Sequence, residues 1–576
     1  MHHPAAQRSN LHETEPAVEL TAAEQLQLVR ACLAQWRAPG DAPPRHVETH
    51  ISHVLLLGGH AYKFKKVLAT SFLDQSTLAL RRRACLEELR LNRRLAPDLY
   101  LDVVQITGSL DQPALGGLGP VLDVAVKMRA FDESNLWDRL AARGELRAVD
   151  IDDLAGRVAR LHAGGAAAPA DGRFGTPAAA RTALLDSLRD LQALAARSGW
   201  PAAGSREQLE LEQLAAWEPA AFERAAPAMA VRLAAGRVRE CHGDLHLGNV
   251  AREGAHALVF DGIEFNDAFR WLDVMDEAAF MTMDLHAHGL PALGHRFLNA
   301  YLEHGGDYDG LRVLGYYLVH RALVRAKVAQ LRAAQAAGTG TGAGNAALDE
   351  ALATAARYLR TAAALARARR PALFITHGLS GSGKTTLTQG FVEASGAVRV
   401  RADVERKRLA GLQPQQGSRS LPGEGLYTAA MNEATQARLL ECANVALQGG
   451  WPVVLDATFI RRQARDQALA CAAQHGVPFV ILRFTAEPQA LRTRIRQRLA
   501  EGRDASEADE AVLEAQMQAL EPLQPDERVH TVEVPAADAP DAQDAAGAGE
   551  AAGPAPTVDW TRLLAPLQAE LGTEPA

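Results

Sequence analysis

Apolar side chains recur at helical spacing over residues 17–36 (AVELTAAEQLQLVRACLAQW), which predicts a short amphipathic helix after a polar start. The period then changes. HVLLLGG, HAYKFKKV, LDVVQIT and VLDVAVKMRA are apolar or alternating runs separated by Gly, Pro and Asp, as a small, mostly antiparallel sheet requires. One helix interrupts them, STLALRRRACLEELRLNRRL at 76–95, with Pro97 just past its end. From Asn135 to Ala334 helical patterns dominate, broken once by VRECHGDLHLGNVAREGAHALVFDGIEF, which reads as turn, loop, short strand and loop.

A Gly/Thr/Ala segment, AAGTGTGAGN (336–345), has the composition of a flexible linker, and an Ala-rich helix follows it to Arg370. Behind that helix ALFIT (372–376), AVRVRAD (397–403), PVVLDAT (452–458) and PFVILRFT (478–485) alternate with helical stretches, the pattern of a parallel α/β sheet. Residues 535–557 are rich in Ala, Pro, Gly and Asp and predict a disordered tail, with room for a short helix in the last fifteen residues. The domain division is therefore 1–40 as an N-terminal extension, 41–335, a linker and connector helix over 336–370, 371–534, and a tail over 535–576. No internal repeat at a fixed period is present.

Composition narrows the class. A chain of 576 residues is too long for one core, since domains run to about 150 residues each. With 61 basic against 69 acidic residues its net charge is −8, so no global positive field draws it to nucleic acid or anionic lipid. Five scattered cysteines with no C-x-x-C pair argue against a disulfide framework and a zinc site. The start lacks the apolar core of a signal peptide, and no run of eighteen apolar residues occurs; a cytoplasmic protein with no membrane partner is the expectation.

The sharpest motif is GLSGSGKT: Gly378, Leu379, Ser380, Gly381, Ser382, Gly383, Lys384 and Thr385, followed by Thr386. It satisfies G-x-x-x-x-G-K-[ST] directly after an apolar strand and before a helical stretch. Glycines let backbone N–H groups turn inward around phosphates, the next helix adds its dipole, Lys384 reaches the β/γ oxygens of ATP, and Thr385 ligates Mg2+. Asp456 ends the strand PVVLD, where a carboxylate holds the Mg2+ shell; the plain alternative is a helix cap. Asp403 ends another strand, with Arg401, Arg406 and Lys407 around it, and would take the proton of an acceptor hydroxyl while the bases hold an anionic substrate. Further on, Arg494 and Arg498 lie one helical turn apart and Arg503 follows Gly502, placed to bring guanidinium groups to a transferring phosphoryl as a lid closes; an ordinary basic helix is the alternative for Arg498 and Arg503. Over about 371–534 the chain resembles the small P-loop kinases that include gluconate kinase, polynucleotide 5'-kinase domains and zeta-toxin-like sugar-nucleotide kinases, which implies phosphoryl transfer.

CHGDLHLGNV (241–250) has a different logic. His242-Gly243-Asp244 is followed by Asn249 at the spacing of the H-R-D-x-x-x-x-N loop, in which the Asp accepts a hydroxyl proton and the Asn ligates Mg2+. ALVFDGIEF then offers Asp261 as the second metal carboxylate and Glu264 to support it, and His242 reads as a brace for the loop. These residues make the region resemble the aminoglycoside phosphotransferase family and choline kinases, within the protein-kinase-like fold. The resemblance implies that Lys63 in HAYKFKK contacts the α/β-phosphates with Glu88 as its ion-pair partner; Lys65, on the same side of the strand, is the rival. No G-x-G-x-x-G loop is present, only Gly58-Gly59.

The fold class expected is thus multi-domain α/β: an N-terminal protein-kinase-like (aminoglycoside phosphotransferase) α+β fold followed by a P-loop parallel α/β domain. The whole arrangement resembles the bacterial group described as bifunctional aminoglycoside phosphotransferase/ATP-binding proteins, through stretches such as ETHIS, LRLNRRLAPDLYL, IEFNDAFRWLDV and RADVERKRLAG. The function expected is ATP·Mg2+-dependent phosphoryl transfer to a small-molecule hydroxyl by both lobes. Two alternatives stay open: a nucleotide-gated regulator acting on a protein partner through a pseudokinase-like first lobe, and a nucleic-acid end kinase, against which the acidic balance counts.

Overall fold

The computed structural model describes residues 19–36, 43–70, 73–117, 119–169, 172–337, 342–414, 416–417, 425–501, 505–535, 558–560 and 562–563. It divides into two compact units, residues 1–140 with 240–272 and residues 141–239 with 273–576.

The first unit begins with α1 (Ala22–Gln35), started by a capping box in which the Thr21 hydroxyl accepts from Glu24 N and Glu24 accepts from Thr21 N at 2.8 Å. Strands β1 (Arg45–Glu48), β2 (Ser52–Leu57) and β3 (His60–Lys65), helix α2 (Leu78–Asn92), and strands β4 (Tyr100–Gly108), β5 (Pro113–Leu115) and β6 (Asp123–Arg129) follow. The six strands form one antiparallel sheet in the order β1-β2-β3-β6-β4-β5. Alternation assigns the faces: Tyr62, Phe64 and Ala125 pack with Leu28 and Cys32 of α1, whereas Val103, Val124 and Val126 pack with Cys85 and Leu89 of α2. Lys63 and Lys65, at the alternate positions of β3, take the α2 side. Gly58 and Gly59, both at positive φ, form the β2–β3 hairpin turn, which is the end of β3 away from Lys65. At the Lys65 end the β1–β2 turn is glycine-free, closed by Thr49 N donating to Ser52 O at 2.9 Å. After a helical stretch over residues 137–234 come strands β7 (Val238–Glu240), β8 (Val250–Glu253), β9 (His256–Val259) and β10 (Trp271–Asp273), with β8 and β9 pairing as an antiparallel hairpin.

The second unit joins helices to a parallel sheet. Its helices begin with α3 (Trp137–Ala142), which starts at the border, α4 (Ala148–Gly164), α5 (Pro177–Ser198), α6 (Arg206–Ala234), α7 (Val274–Ala287), α8 (Pro291–Gly305), α9 (Leu311–Ala337) and α10 (Gly342–Ala366). Asp273 and Asp276 are braces: Asp273 caps α7 and pairs with Arg232 at 2.7 Å, and Asp276 pairs with Arg321 at 2.7 Å. Of the segment expected as a linker, residues 336–337 end α9, 338–341 lie outside the described residues, and Gly342–Asn345 open α10, which lies along α9 and buries Ala355, Tyr358, Leu359 and Ala362.

The sheet then runs through β11 (Leu373–His377), α11 (Lys384–Ser395), β12 (Val398–Arg401), α12 (Ala402–Leu409), α13 (Ala429–Gln448), β13 (Val453–Asp456), α14 (Arg462–His475), β14 (Phe479–Phe484), α15 (Pro488–Glu501), α16 (Glu510–Ala519), α17 (Pro525–Arg528) and β15 (Thr531–Val534). Its order is β12-β13-β11-β14-β15, every pair parallel. Four of these strands stand out as apolar runs in the sequence; β15, an edge strand reading TVEV with only Val534 buried, carries too little apolar signal. The five cysteines are free and buried. Among the described residues no helix is long and apolar enough to cross a membrane.

Most of the tail expected to be disordered, and of the short helix expected in its last fifteen residues, lies outside the described residues. Trp560 is described, and it is 4% exposed in the sheet's core, its ring 5.2 Å from that of Phe391 with Phe374 and Val392 alongside. Trp560→Ala is expected to destabilise this unit by about 3 kcal/mol or more, as cavity-forming aromatic truncations do. Denaturant unfolding checks it, and an unchanged midpoint would show the contact to be idle.

Candidate active sites

In the first unit β3 presents both lysines to one carboxylate. Lys63 Nζ lies 2.8 Å from Glu88 Oε1 and Lys65 Nζ 2.5 Å from Glu88 Oε2, so the fully buried Glu88 is shared. Their second partners separate them. Lys63 also pairs with Asp261, whose side chain is 47% exposed, whereas Lys65 pairs with Glu264, 3% exposed. Burial pushes the Glu88 carboxyl up, but Lys63 and Lys65 outweigh it and hold it below the ordinary range. Burial likewise works against the Lys63 ammonium, and Asp261 and Glu88 more than compensate. For Glu264 burial wins over Lys65 and the carboxyl is raised.

The loop after β7 is held from within. His242 Nε2 donates to Phe260 O at 2.9 Å while Nδ1 accepts from Asp244 N at 3.3 Å, which fixes the tautomer and makes His242 a brace. Gly243 stands at φ +90°, where an added Cβ would lie 2.6 Å from Phe269 O. Asn249 Nδ2 donates to Asp244 O at 2.9 Å and to its Oδ2 at 3.0 Å, so the two residues meet in one loop, with His246 Nε2 3.3 Å from the same Oδ2. Asp261 has a left-handed backbone (φ +63°), its N–H donating to the Tyr100 hydroxyl at 3.0 Å. Gly262 N donates to Asn92 Oδ1 at 2.8 Å, and Asn92 Nδ2 to Glu88 O at 2.9 Å. Helix α2 therefore anchors both the lysine's carboxylate and the Asp261 turn. Tyr100 and Asn92 went unread in the sequence; the one available signal is that Asn92 follows Glu88 by a helical turn.

The second unit holds the phosphate-loop residues. Between β11 and α11, Gly378, Gly381 and Gly383 all take positive φ, and a Cβ on Gly381 would meet Leu491 O at 2.8 Å. Leu379 packs on Leu491, Ile495 and Leu513 and anchors the loop; Thr386 is exposed beyond it. Lys384 Nζ donates back to Gly378 O (3.0 Å) and Leu379 O (2.8 Å), and burial lowers its pKa to about 8. Ser380 N donates to Gln516 Oε1 of α16 at 2.9 Å, a partner no motif announces. Asp456 ends β13 beside the Thr385 hydroxyl; burial lifts its carboxyl above the usual range against Arg399, Arg401 and Lys384. Its Oδ2 and the Ser382 hydroxyl are buried without a hydrogen-bond partner.

Next to this loop, Asp403 opens α12 with Arg406 Nη1 2.9 Å from its carboxylate, which stays below the ordinary range although burial opposes it. Of the three expected bases Arg406 bonds Asp403 directly, Arg401 acts on its charge and also reaches Glu303 (3.4 Å), and Lys407 pairs with Glu507 (2.9 Å). Arg498 acts on the Asp403 charge and donates through Nη2 to Ala508 O at 2.6 Å. Arg406 Nε, Arg498 Nε and Gln436 Nε2 are buried donors with no acceptor. Arg503 lies outside the described residues.

Residues 373–523 match the AAA domain family. An uncharacterized protein of Mycobacterium tuberculosis is 29% identical over 475 residues, 81% of this chain and 89% of that protein. Among solved structures, a gluconokinase from Sinorhizobium meliloti is 22% identical, covering 30% of this chain and 86% of its own, with a TM-score of 0.22. A choline/ethanolamine kinase family protein from Mesorhizobium loti is 12% identical, covering 60% of this chain and all of its own, with a TM-score of 0.33. The AAA domain match thus takes in the loop Gly378–Thr385 and Asp456.

Proposed function

We propose that the chain is an ATP- and Mg2+-dependent phosphotransferase acting on a small-molecule hydroxyl, with two separate triphosphate sites. The observation that carries the reading is the loop Gly378–Thr385 closing on Lys384, with Asp456 Oδ2 and the Ser382 hydroxyl buried and unpartnered next to Thr385. Two oxygen donors, one ending the buried strand β13 and one in the first turn of α11, fit a small hard cation, so Asp456 and Thr385 would hold Mg2+. When bound, the ion supplies neutralisation of charge on the β- and γ-phosphate oxygens.

The protein's own groups do the rest. Backbone N–H groups of the loop and the start of α11 bind the phosphates, and Lys384 adds a fixed positive charge. Asp403, kept ionised by Arg406, is the base for the acceptor hydroxyl. The unpartnered donors of Arg406, Gln436 and Arg498 favour an acceptor rich in oxygen and carrying negative charge. In the first unit Asp244 would take the acceptor proton, Asn249 and Asp261 would hold a metal, and Lys63, oriented by Glu88, would contact the α/β-phosphates. One observation favours the regulatory alternative for that unit: Lys63 is bonded to Asp261, the carboxylate a metal would need.

Transfer of radiolabel from γ-labelled ATP to a metabolite library tests both sites. Lys384→Ala is expected to lower transfer about a hundredfold or more, the scale of losing a charge-stabilising group, and unchanged transfer would refute the second site. Asp244→Ala isolates the first: loss of a distinct labelled product marks a second kinase, whereas an unchanged product set with altered nucleotide binding marks a regulator.

A pH dependence follows from Lys384. Its pKa is depressed to about 8, and a bound triphosphate favours the ammonium and raises it again. Nucleotide affinity is therefore expected to be greatest below pH 8 and to weaken as pH rises through it, with proton uptake on binding. Calorimetry in two buffers of different ionisation heat at pH 9 reads that proton directly, and the uptake should vanish in Lys384→Ala.

A further inference from the structure

We propose that Glu303, on helix α8 and 70 residues upstream of the matched AAA segment, is a positioning residue of the P-loop site that keeps Arg399 and Arg401 off the metal carboxylate Asp456. The proposal rests on the reading of that site as a Mg2+·nucleotide site.

Strand β12 lies at the edge of the parallel sheet, where its outer N–H and C=O groups need partners. A side chain of α8 supplies them. Asn299 Nδ2 donates to Ala397 O at 3.1 Å and Asn299 Oδ1 accepts from Arg399 N at 2.7 Å, so one amide substitutes for the peptide of a neighbouring strand. The same face of α8 grips the end of α11: His295 Nδ1 lies 2.9 Å from Glu393 O, and Arg296 Nη1 donates to Glu393 Oε1 at 2.7 Å. Positions 295, 296, 299 and 303 follow helical spacing, so Glu303 arrives one turn beyond Asn299, at the end of β12 nearest the site.

There Glu303, 16% exposed, takes two guanidinium groups at once. Its Oε1 accepts from Arg399 Nε (3.1 Å) and Nη2 (2.9 Å), and its Oε2 faces Arg401 Nη1 at 3.4 Å. Arg399, 5% exposed, donates its remaining hydrogens to Thr385 O at 3.0 Å and Gln389 Oε1 at 2.8 Å. One guanidinium thus spans α8 and the first turn of α11, which bears the metal hydroxyl.

Charge gives this bridge its consequence. Arg401 is the register partner of Asp456, and Arg399 and Arg401 are the two strongest counter-charges acting on that carboxylate. With Glu303 ionised they are already engaged. With it neutralised, the carboxylates left to them are Asp456 and Asp403, and a guanidinium seated on Asp456 competes with Mg2+ for the same oxygens.

The test uses the full chain and a fluorescent non-hydrolysable ATP analogue, read as binding against Mg2+ concentration and, separately, in EDTA. Glu303→Gln keeps the shape and removes the charge; the Mg2+ midpoint is expected to rise about ten- to a hundredfold while binding in EDTA holds, the scale on which partners of metal ligands act. Glu303→Asp should recover part of the loss, and Arg401→Gln added to Glu303→Gln should recover more. The double variant also serves if the single one folds poorly, since it removes one of the two cations that Glu303 faces. An unchanged Mg2+ midpoint in Glu303→Gln, or an equal fall with and without Mg2+, overturns the proposal. A wild-type chain that binds no nucleotide overturns the underlying site as well, so the two failures are distinct.

Discussion

A charge taken out of water must find a counter-charge, and both sites are built around a carboxylate that serves two cations at once. In the first unit Glu88 stands between Lys63 and Lys65; in the second Glu303 stands between Arg399 and Arg401. Removing either carboxylate would take counter-charge from two mostly buried cations at once, which costs more than losing a surface ion pair. Each arrangement fixes the direction of the cations without a ligand. For the proposed phosphoryl transfer that preorganisation would matter, because such chemistry asks a protein for position and charge and for little covalent chemistry.

The two units reach this state by different backbones. An antiparallel sheet supplies cations by alternation, so that every second residue of β3 faces α2, and a separate loop carries the polar Asp–Asn pair. A parallel sheet instead ends its strands at one edge, where Gly378 follows β11, Asp456 ends β13 and Asp403 comes just after β12. His242 and Arg399 act alike in one respect: each bonds backbone beside a site, His242 at Phe260 O and Asp244 N and Arg399 at Thr385 O.

Much of this was legible in the sequence because the motifs are local. Gly378–Thr385, Asp244 with Asn249, and Lys63 in an alternating strand are written within ten residues each, and the structure brings Lys63, Glu88 and Asp261 into direct contact. What could not be read is what the chain brings together over distance. Glu303 and Asn299 sit in an ordinary amphipathic helix and acquire meaning only when β12 lies against them. Gln516 over the loop and Trp560 in the core are of the same kind. The choice between Lys63 and Lys65 was also unreadable, since both occupy the same face of β3 and differ only in the exposure of their second partners.

The left-handed backbone of Asp261 sets a rule for variation at that position. A residue there must first tolerate positive φ, which costs most side chains about 1–2 kcal/mol and spares chiefly Gly, Asn and Asp. Of these, Gly offers no oxygen and Asn offers one without charge. The backbone thus filters candidates before chemistry does, and substitution at this position would pass through Asn or Gly long before it reached Ala or Glu.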